Sequence, residues 1–458
     1  MTKNDDTLPR RTYLKLTGLV GTAGVTALAG CSQGGDGDGD GNDSQGGQTG
    51  DGNGSDSGND SGGEDGGGEQ LEIVHWWTAG GEEDALNALL EGFVEQTDYS
   101  EDDINNNPAP GGAGSALDTV IQNRVLNENP PSTFQIWPGQ ALTPYTDADV
   151  LEDIGDIWSG EMEEAYLEGV RQLAQPAGNY VSVPINIHRL NNLFYNVSVV
   201  EEAGVDMQNV SNPQELTQVM QTIADETDAT PMAHQTQSPW SSLQLWEAVF
   251  QGQQGVEAYN QFTDGNVSDH EQGVKDALQT VKDYSEFFND DAGSITWDQG
   301  NSKVIEGDAA MIHQGDWAAG QYESAEDFAY EEDWNHVAFP GTEGLYAIVP
   351  DSFVFPTNNP SPDVTSAFLE YCGSVDAQER FNPVKGSIPP RTDVPNEEFG
   401  PFLRSQRQEF EDSENQPPTI AHGTAVNPEI KSNLEEAFAG FNESWNVDET
   451  YNRMTNAF

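Results

Sequence analysis

Two adjacent tryptophans, Trp76 and Trp77, stand where a first strand ends and the loop to a first helix begins. In open α/β sheets that end of a strand is where ligands bind. Successive strand residues face opposite sides, so at least one of the pair must leave the local core. An exposed indole needs a cover. The flat C–H face of a pyranose supplies one, and nearby acidic groups can accept hydrogen bonds from its hydroxyls. The competing reading places both rings in the core. Further along, Trp137, Trp240, Trp246, Trp297 and Trp317 recur, with Glu82, Asp316, Asp351 and Lys385 near them in sequence or in similar loop positions. Each alone has a structural reading: Glu82 favouring a helix N-terminus, Asp316 capping a helix that starts at Trp317, Lys385 in a solvated turn. The carboxylates could also serve a glycoside hydrolase or lyase, which needs two carboxyls facing one glycosidic bond.

The elements that must position these residues are legible as periodicities. Leu71 to Trp76 partly alternates and reads as a strand. Leu86, Leu89, Leu90 and Phe93 form the i, i+3, i+4, i+7 stripe of a core-facing helix. A helix over Ser115 to Leu126 (Leu117, Val120, Ile121) and a strand over Phe134 to Trp137 follow. Asn212-Pro213 opens a helix whose face carries Leu216, Val219, Met220 and Ile223. Ser361-Pro362-Asp363 starts another, and Ile430, Leu434, Phe438, Phe441 and Trp445 mark one near the C-terminus. Alternating strands and helices predict an α/β protein with mainly parallel sheets flanked by helices. The alternation runs too long for one sheet, which predicts two lobes. Val183 to His188 and Val349 to Phe353 are extended, proline-containing segments suited to crossing between them.

Composition narrows the function. The 458 residues carry 17 basic and 79 acidic side chains, a formal net charge of -62. That balance excludes nucleic acid as a partner, because phosphate binding needs clustered Lys and Arg, and it disfavours passive adhesion to anionic lipid. It suits a surface solvated in brine, where the screening length shrinks to about 3 Å and self-repulsion is suppressed. Arg10-Arg11 ahead of the short apolar run Leu16 to Ala29 reads as a Tat export address. Leu28-Ala29-Gly30-Cys31 looks like a lipobox, making Cys31 the expected lipid anchor on the outer face of the cell membrane. Residues 32 to about 68 are nearly all Gly, Asp, Ser, Asn and Gln, the composition of a disordered spacer. Asp36, Asp38, Asp40 and Gly41 mimic the start of a calcium loop, but its twelfth position is Gly47, where a glutamate is required. With Cys372 on an apolar helical face and seven dispersed histidines, no disulfide, metal or cofactor is expected.

Against this background several blocks resemble the glucose-type family 1 extracellular solute-binding proteins of sugar ABC transporters, in a haloarchaeal-like form. They are His75-Trp76-Trp77-Thr78-Ala79-Gly80-Gly81-Glu82, Pro131 to Gln135, Val183 to Arg189, Gly315 to Gly320, Phe339 to Thr342, Phe381 to Ile388 and Ala421-His422-Gly423. They run in family order and cover essentially all of Leu71 to Phe458.

The resemblance implies a two-lobed periplasmic-binding-protein-like fold of type II, with hinge crossovers, that closes on one monosaccharide. It then docks as a monomer on ABC permease subunits with their ATPase, and is not an enzyme. It implies aromatic walls from Trp76, Trp77, Trp297 and Trp317, hydroxyl partners in Glu82, Gln135, Asp351, Lys385 and His422, and structural roles for Asp316, His188 and Trp240. Trp137 departs from the pattern, standing where relatives place His or Lys, so recognition of one hydroxyl is expected to relax. The implied layout is leader 1-31, linker 32-70, first lobe 71-185, second lobe 186-350, a return to the first over 351-387 and to the second over 388-458. The alternatives are the hydrolase or lyase above and a receptor for another small polar solute.

Overall fold

A computed structural model describes residues 70–78, 81–109 and 115–458. The export address, Cys31 and the acidic spacer lie outside the described residues. The strands are β1 (Leu71–His75), β2 (Ile104–Pro108), β3 (Thr133–Ile136), β4 (Ser182–Pro184), β5 (His188–Arg189) and β6 (Asn192–Asn196). They continue with β7 (Thr230–Ala233), β8 (Ala309–Gln314), β9 (Trp334–Ala338), β10 (Ile348–Val349) and β11 (Ser352–Val354). One sheet has the order β2-β1-β3-β11-β4, the other β7-β8-β6-β9, and β5 pairs with β10 as a ribbon. Each large sheet belongs to one lobe.

The sheets are mixed in orientation, which corrects the expectation of mainly parallel ones. β1 runs parallel to β2 and β3, but β11 is antiparallel to both β3 and β4. In the second sheet β7 and β8 are parallel while β6 opposes β8 and β9. The crossovers are the cause. The chain leaves the first sheet through β4, crosses as β5, and enters the second as β6. It returns through β10, against β5, and re-enters as β11, so a strand arriving from the other lobe runs against its neighbours. A third segment crosses beside them, where Ile388 bridges Ile187.

Helices cover the sheets where apolar stripes allow it. The helix Glu82–Gln96 opens with three acidic residues, favourable at its positive end, and buries Leu86, Leu89 and Phe93. In the helix Ser115–Leu126, Leu117 and Ile121 are buried, whereas Val120 is 38 % exposed and off the expected stripe. Asn212 caps the helix Pro213–Glu226 by accepting from the Glu215 N–H at 2.9 Å. The helix Pro428–Ser444 is capped by Asn427 in the same way and ends at Trp445 in a left-handed conformation. A further helix, Val447–Ala457, follows it with Tyr451 and Met454 buried. Cys372 is buried in the first lobe's core with Phe368 and Leu369. Among the described residues no helix is long and apolar enough to cross a membrane.

Candidate functional site

The two sheets and three crossovers leave a cleft of about 250 Å³, lined by residues of both lobes and the hinge. Small-molecule sites commonly occupy about 300–1,000 Å³, so this one suits a small ligand. Its first wall comes from the end of β1. Trp76 is half-buried and faces the cleft, while Trp77 is 1 % exposed and packs on Phe353 and Phe381 in the first lobe's core. Both touch the cleft, but Trp77 belongs to the core behind it, whereas Trp76 packs on that core and stays partly exposed. β1 ends at His75, so the two rings part just beyond the strand, one towards the cleft and one into the core.

Trp137 follows β3 and packs on Trp76 with ring centroids 4.9 Å apart. Across the cleft stands His422, on the loop before the helix Pro428–Ser444. Its ring meets Trp137 at 5.1 Å, Trp317 at 5.3 Å and Trp240 at 5.8 Å. Burial, first, and then the nearby Lys431 ammonium lower the His422 pKa to about 3, so the ring is neutral at ordinary pH. Among the described residues its Nδ1 has no hydrogen-bond partner. Trp297, half-buried at the start of the helix Trp297–Ile305, completes the aromatic lining.

The floor is a buried ionic network. Lys385 ends the helix Val375–Lys385, whose chain turns away at Gly386 with φ +76°. A Cβ at Gly386 would stand 3.0 Å from Asp316 O and Gly320 N, so glycine is needed both for conformation and for close approach. That turn aims the Lys385 ammonium inward. It donates to Glu82 Oε1 at 3.1 Å and approaches His188 Nε2 at 3.1 Å. Lys385 is thus a buried cation, not a solvated turn residue.

On its other side His188 meets Asp316 Oδ1 at Nδ1, and Asp316 also accepts from the Arg189 N–H. Asp316 is therefore a structural partner of the hinge rather than a helix cap. Burial and then Lys385 push the His188 pKa down, and Asp316 and Asp351 pull it up by more. Asp351 accepts from Gln135 Nε2 at 3.1 Å and Asn186 Nδ2 at 2.9 Å. Burial alone would raise its pKa, but hydrogen bonding to His188 and the Lys385 charge hold it at about 2. Glu82 moves the other way, because burial outweighs the help it receives from Lys385.

The linkage for Asp351 has a definite sign. Its native pKa lies below its ordinary value of 3.8, so its contribution is present above pH 4 and lost as pH falls from 3.8 towards 2. The amount is about 2 kcal/mol. Urea unfolding between pH 5 and pH 2 should show the native chain losing about that much more stability than Asp351→Asn. Equal acid sensitivity of the two proteins would contradict the assignment.

Of the expected site residues, Trp76, Trp77, Glu82, Trp137, Trp297, Trp317, Asp351, Lys385 and His422 meet at one cleft. Gln135 does not line it. Its amide is fully buried and spent on the Trp76 N–H and on Asp351, so it acts through those two groups. Trp246 lies in the second lobe's core against Phe250 and Phe262. Two residues assigned structural roles, His188 and Trp240, do line the cleft, and so do Gln235, Gln237 and Ser238, which had not been singled out. The last three follow β7 directly, at the same end of a strand that drew attention to Trp76. Among the described residues no cluster of His, Cys, Asp and Glu could hold a metal ion. What remains is an aromatic cage with fixed donors and acceptors, suited to a small polyhydroxyl molecule having flat apolar faces.

Comparison with known proteins points the same way. The chain is 40% identical to a xylose/arabinose-binding protein of Haloferax volcanii over 458 aligned positions, covering 99% of this chain and 98% of that one. It is 34% identical to an uncharacterized ABC transporter extracellular-binding protein of Pyrococcus horikoshii, over 85% of this chain and 87% of that one. Among solved structures, a chitin oligosaccharide binding protein superposes with a TM-score of 0.74 at 18% identity, covering 85% of this chain and 98% of that one. Residues 108–402 match the family described as bacterial extracellular solute-binding protein, and on that match together with the full-length relative, this chain belongs to the family of extracellular solute-binding proteins of ABC transporters.

Proposed function

We propose that this protein is a cell-surface receptor that captures one small sugar by closing its lobes and delivers it to an ABC permease powered by an associated ATPase. The observation that carries the reading is the convergence of Trp76, Trp137, Trp240, Trp297 and Trp317 with Glu82, Asp351, Lys385 and His422 around a single hinge cleft. Closure expels water, which strengthens each hydrogen bond to a sugar hydroxyl. The glucose suggested by the sequence resemblance gives way to a pentose, because the relative at 40% identity is a xylose/arabinose-binding protein. Trp137 supports the change. It fills the space between Trp76 and His422 with an apolar plate, so position 137 presents a ring face where a larger sugar would need a partner for its exocyclic hydroxymethyl group.

The receptor works as a monomer outside the cell, held by lipid at Cys31 after Tat export, with residues 32–70 as its tether. The layout by lobes is the one given above, 71-185 and 351-387 in the first and 186-350 and 388-458 in the second. Its charge of -62 suits folding in concentrated salt.

A panel of pentoses, hexoses and disaccharides in molar KCl, followed by tryptophan emission, tests the proposal. Xylose or arabinose is expected to shift emission at lower concentration than glucose. No response and no rise in melting temperature with any sugar would overturn the ligand class. The same panel run with oligosaccharides addresses the hydrolase reading, which the opposite pKa displacements of Glu82 and Asp351 keep in view. Lys385 argues against it, because its ammonium bonds Glu82 and stabilises the ionised Asp351. Reducing ends released on repeated turnover would favour the enzyme.

A further inference from the structure

Beneath the cleft, in the core of the second lobe, lies a carboxylate that the binding site does not use. Glu247 sits in the first part of the helix Pro239–Thr263, which kinks at Gly255, and is 3 % exposed. Its Oε1 accepts from the Ile420 N–H at 2.7 Å and its Oε2 from the Ala421 N–H at 2.9 Å. The Tyr259 hydroxyl, from beyond the kink, lies 2.5 Å from Oε1. Two consecutive backbone donors of one loop are thus gripped by one buried side chain, and the next residue in that loop is His422.

The loop is built to transmit a position. Thr424 Oγ1 accepts from the Thr419 N–H, Gly423 N–H returns to Ile420 O, and Gly423 adopts φ +68°. These bonds fold 419–424 into a tight turn with His422 at its tip. The turn is tied to the hinge, where the Ile348 N–H donates to Pro417 O at 2.9 Å, and to the first lobe, where the Gln140 N–H reaches Thr424 O. It therefore touches the cleft, a crossover strand and the opposite lobe, and Glu247 fixes it to the core of its own lobe.

We propose that Glu247, which touches no ligand, is the positioning residue that sets His422 for sugar binding by holding the Ile420 and Ala421 amides. The inference rests on the sugar-receptor reading above. Hydrogen bonds to an ionised acceptor are roughly twice as strong as neutral ones, so the grip depends on the carboxylate's charge. Burial raises its pKa to about 7, with the bonds from Tyr259, Ile420 and Ala421 working against that rise. Tyr259 is the sole titratable group acting on it among the described residues; the loop offers only backbone, and the neighbouring Gln244 and Gln251 are uncharged. The native group is ionised above about pH 7 and gains a proton below it, where one oxygen stops accepting. Sugar affinity therefore falls as pH drops from 8 to 6, above the range in which an ordinary glutamate or the neutral His422 titrates. His188, which lines the cleft with its own pKa raised, stays in place in a Glu247 variant, so the change on substitution isolates the Glu247 share.

The test is calorimetric titration of native protein, Glu247→Gln and Glu247→Asp with xylose and arabinose in molar KCl at pH 6, 7 and 8. Glu247→Gln turns an N–H donor towards one of the two amides, so it should bind at least about tenfold more weakly at pH 8 and show a smaller dependence on pH than the native protein. Glu247→Asp keeps the charge and should recover part of the affinity together with a pH step. Native affinity and an unchanged pH profile in a folded Glu247→Gln would overturn the inference while leaving the receptor intact. Failure of the native protein to bind either sugar would instead sink the receptor reading. Should Glu247→Gln not fold, hydrogen exchange in the native protein decides. Protection of the Ile420 and Ala421 amides should drop about tenfold from pH 8 to 6 relative to other core amides. Constant relative protection would overturn the inference.

Discussion

Replacing Lys385 with methionine is expected to destabilise the protein by about 3–5 kcal/mol, because it leaves buried carboxylates without their cation. The Lys385 side chain is 2% exposed, Glu82 is its direct partner, and its charge also helps to hold Asp351 ionised. A surface ion pair would be worth about 0–1 kcal/mol, so burial makes the difference. Urea unfolding in molar KCl measures the loss. Adding Glu82→Gln to Lys385→Met should recover at least about 1 kcal/mol, since the second change removes an acid the first had stranded. A loss below about 1 kcal/mol in the single variant would mean that the network does not hold the hinge.

The neighbouring tryptophans should part company. Trp76→Ala is expected to weaken sugar binding by about 2 kcal/mol or more, roughly thirtyfold, with little change in unfolding, because a half-buried ring at the cleft acts mainly on ligand. Trp77→Ala should cost about 3–5 kcal/mol of stability, the range for emptying a large aromatic from a packed core. Trp77 fits that class, being 1 % exposed between Phe353 and Phe381. Unfolding curves and fluorescence titrations of both variants separate the roles. Equal effects on binding and equal effects on stability would contradict the division.

That division marks the reach of sequence reading here. Reading the first strand as running to Trp76 led to the expectation that the two indoles face apart, but not to which of them would meet the core; the strand ends at His75 and the rings part just after it. Helices were legible wherever a stripe recurred locally, as in Leu86, Leu89 and Phe93, or a cap preceded proline, as at Asn212-Pro213. Two lobes followed from an alternation of strands and helices too long for one sheet, and both proline-containing crossovers were legible as extended segments. Strand direction was not, because β11 takes its orientation from a crossing partner distant in the chain. The burial of Lys385 was hidden for the same reason, since Glu82 lies 303 positions away. For His188 and Trp240 the family resemblance implied structural roles, and nothing in their local sequence pointed to the cleft. They reach the cleft only once the ribbon of β5 and β10 and the start of the helix Pro239–Thr263 come together. The polar run after β7 carried a usable signal in its place at the end of a strand.

The claim beneath all of this is that one small sugar is held between indole rings and a buried ionic floor. Calorimetric titration of the native chain and Trp76→Ala with xylose and arabinose in molar KCl tests it most directly. The account predicts one site per chain, a negative heat-capacity change from covering apolar ring surface, and binding at least about thirtyfold weaker in the variant. Heat-silent titrations with both pentoses, or an affinity that Trp76→Ala leaves untouched, would contradict it.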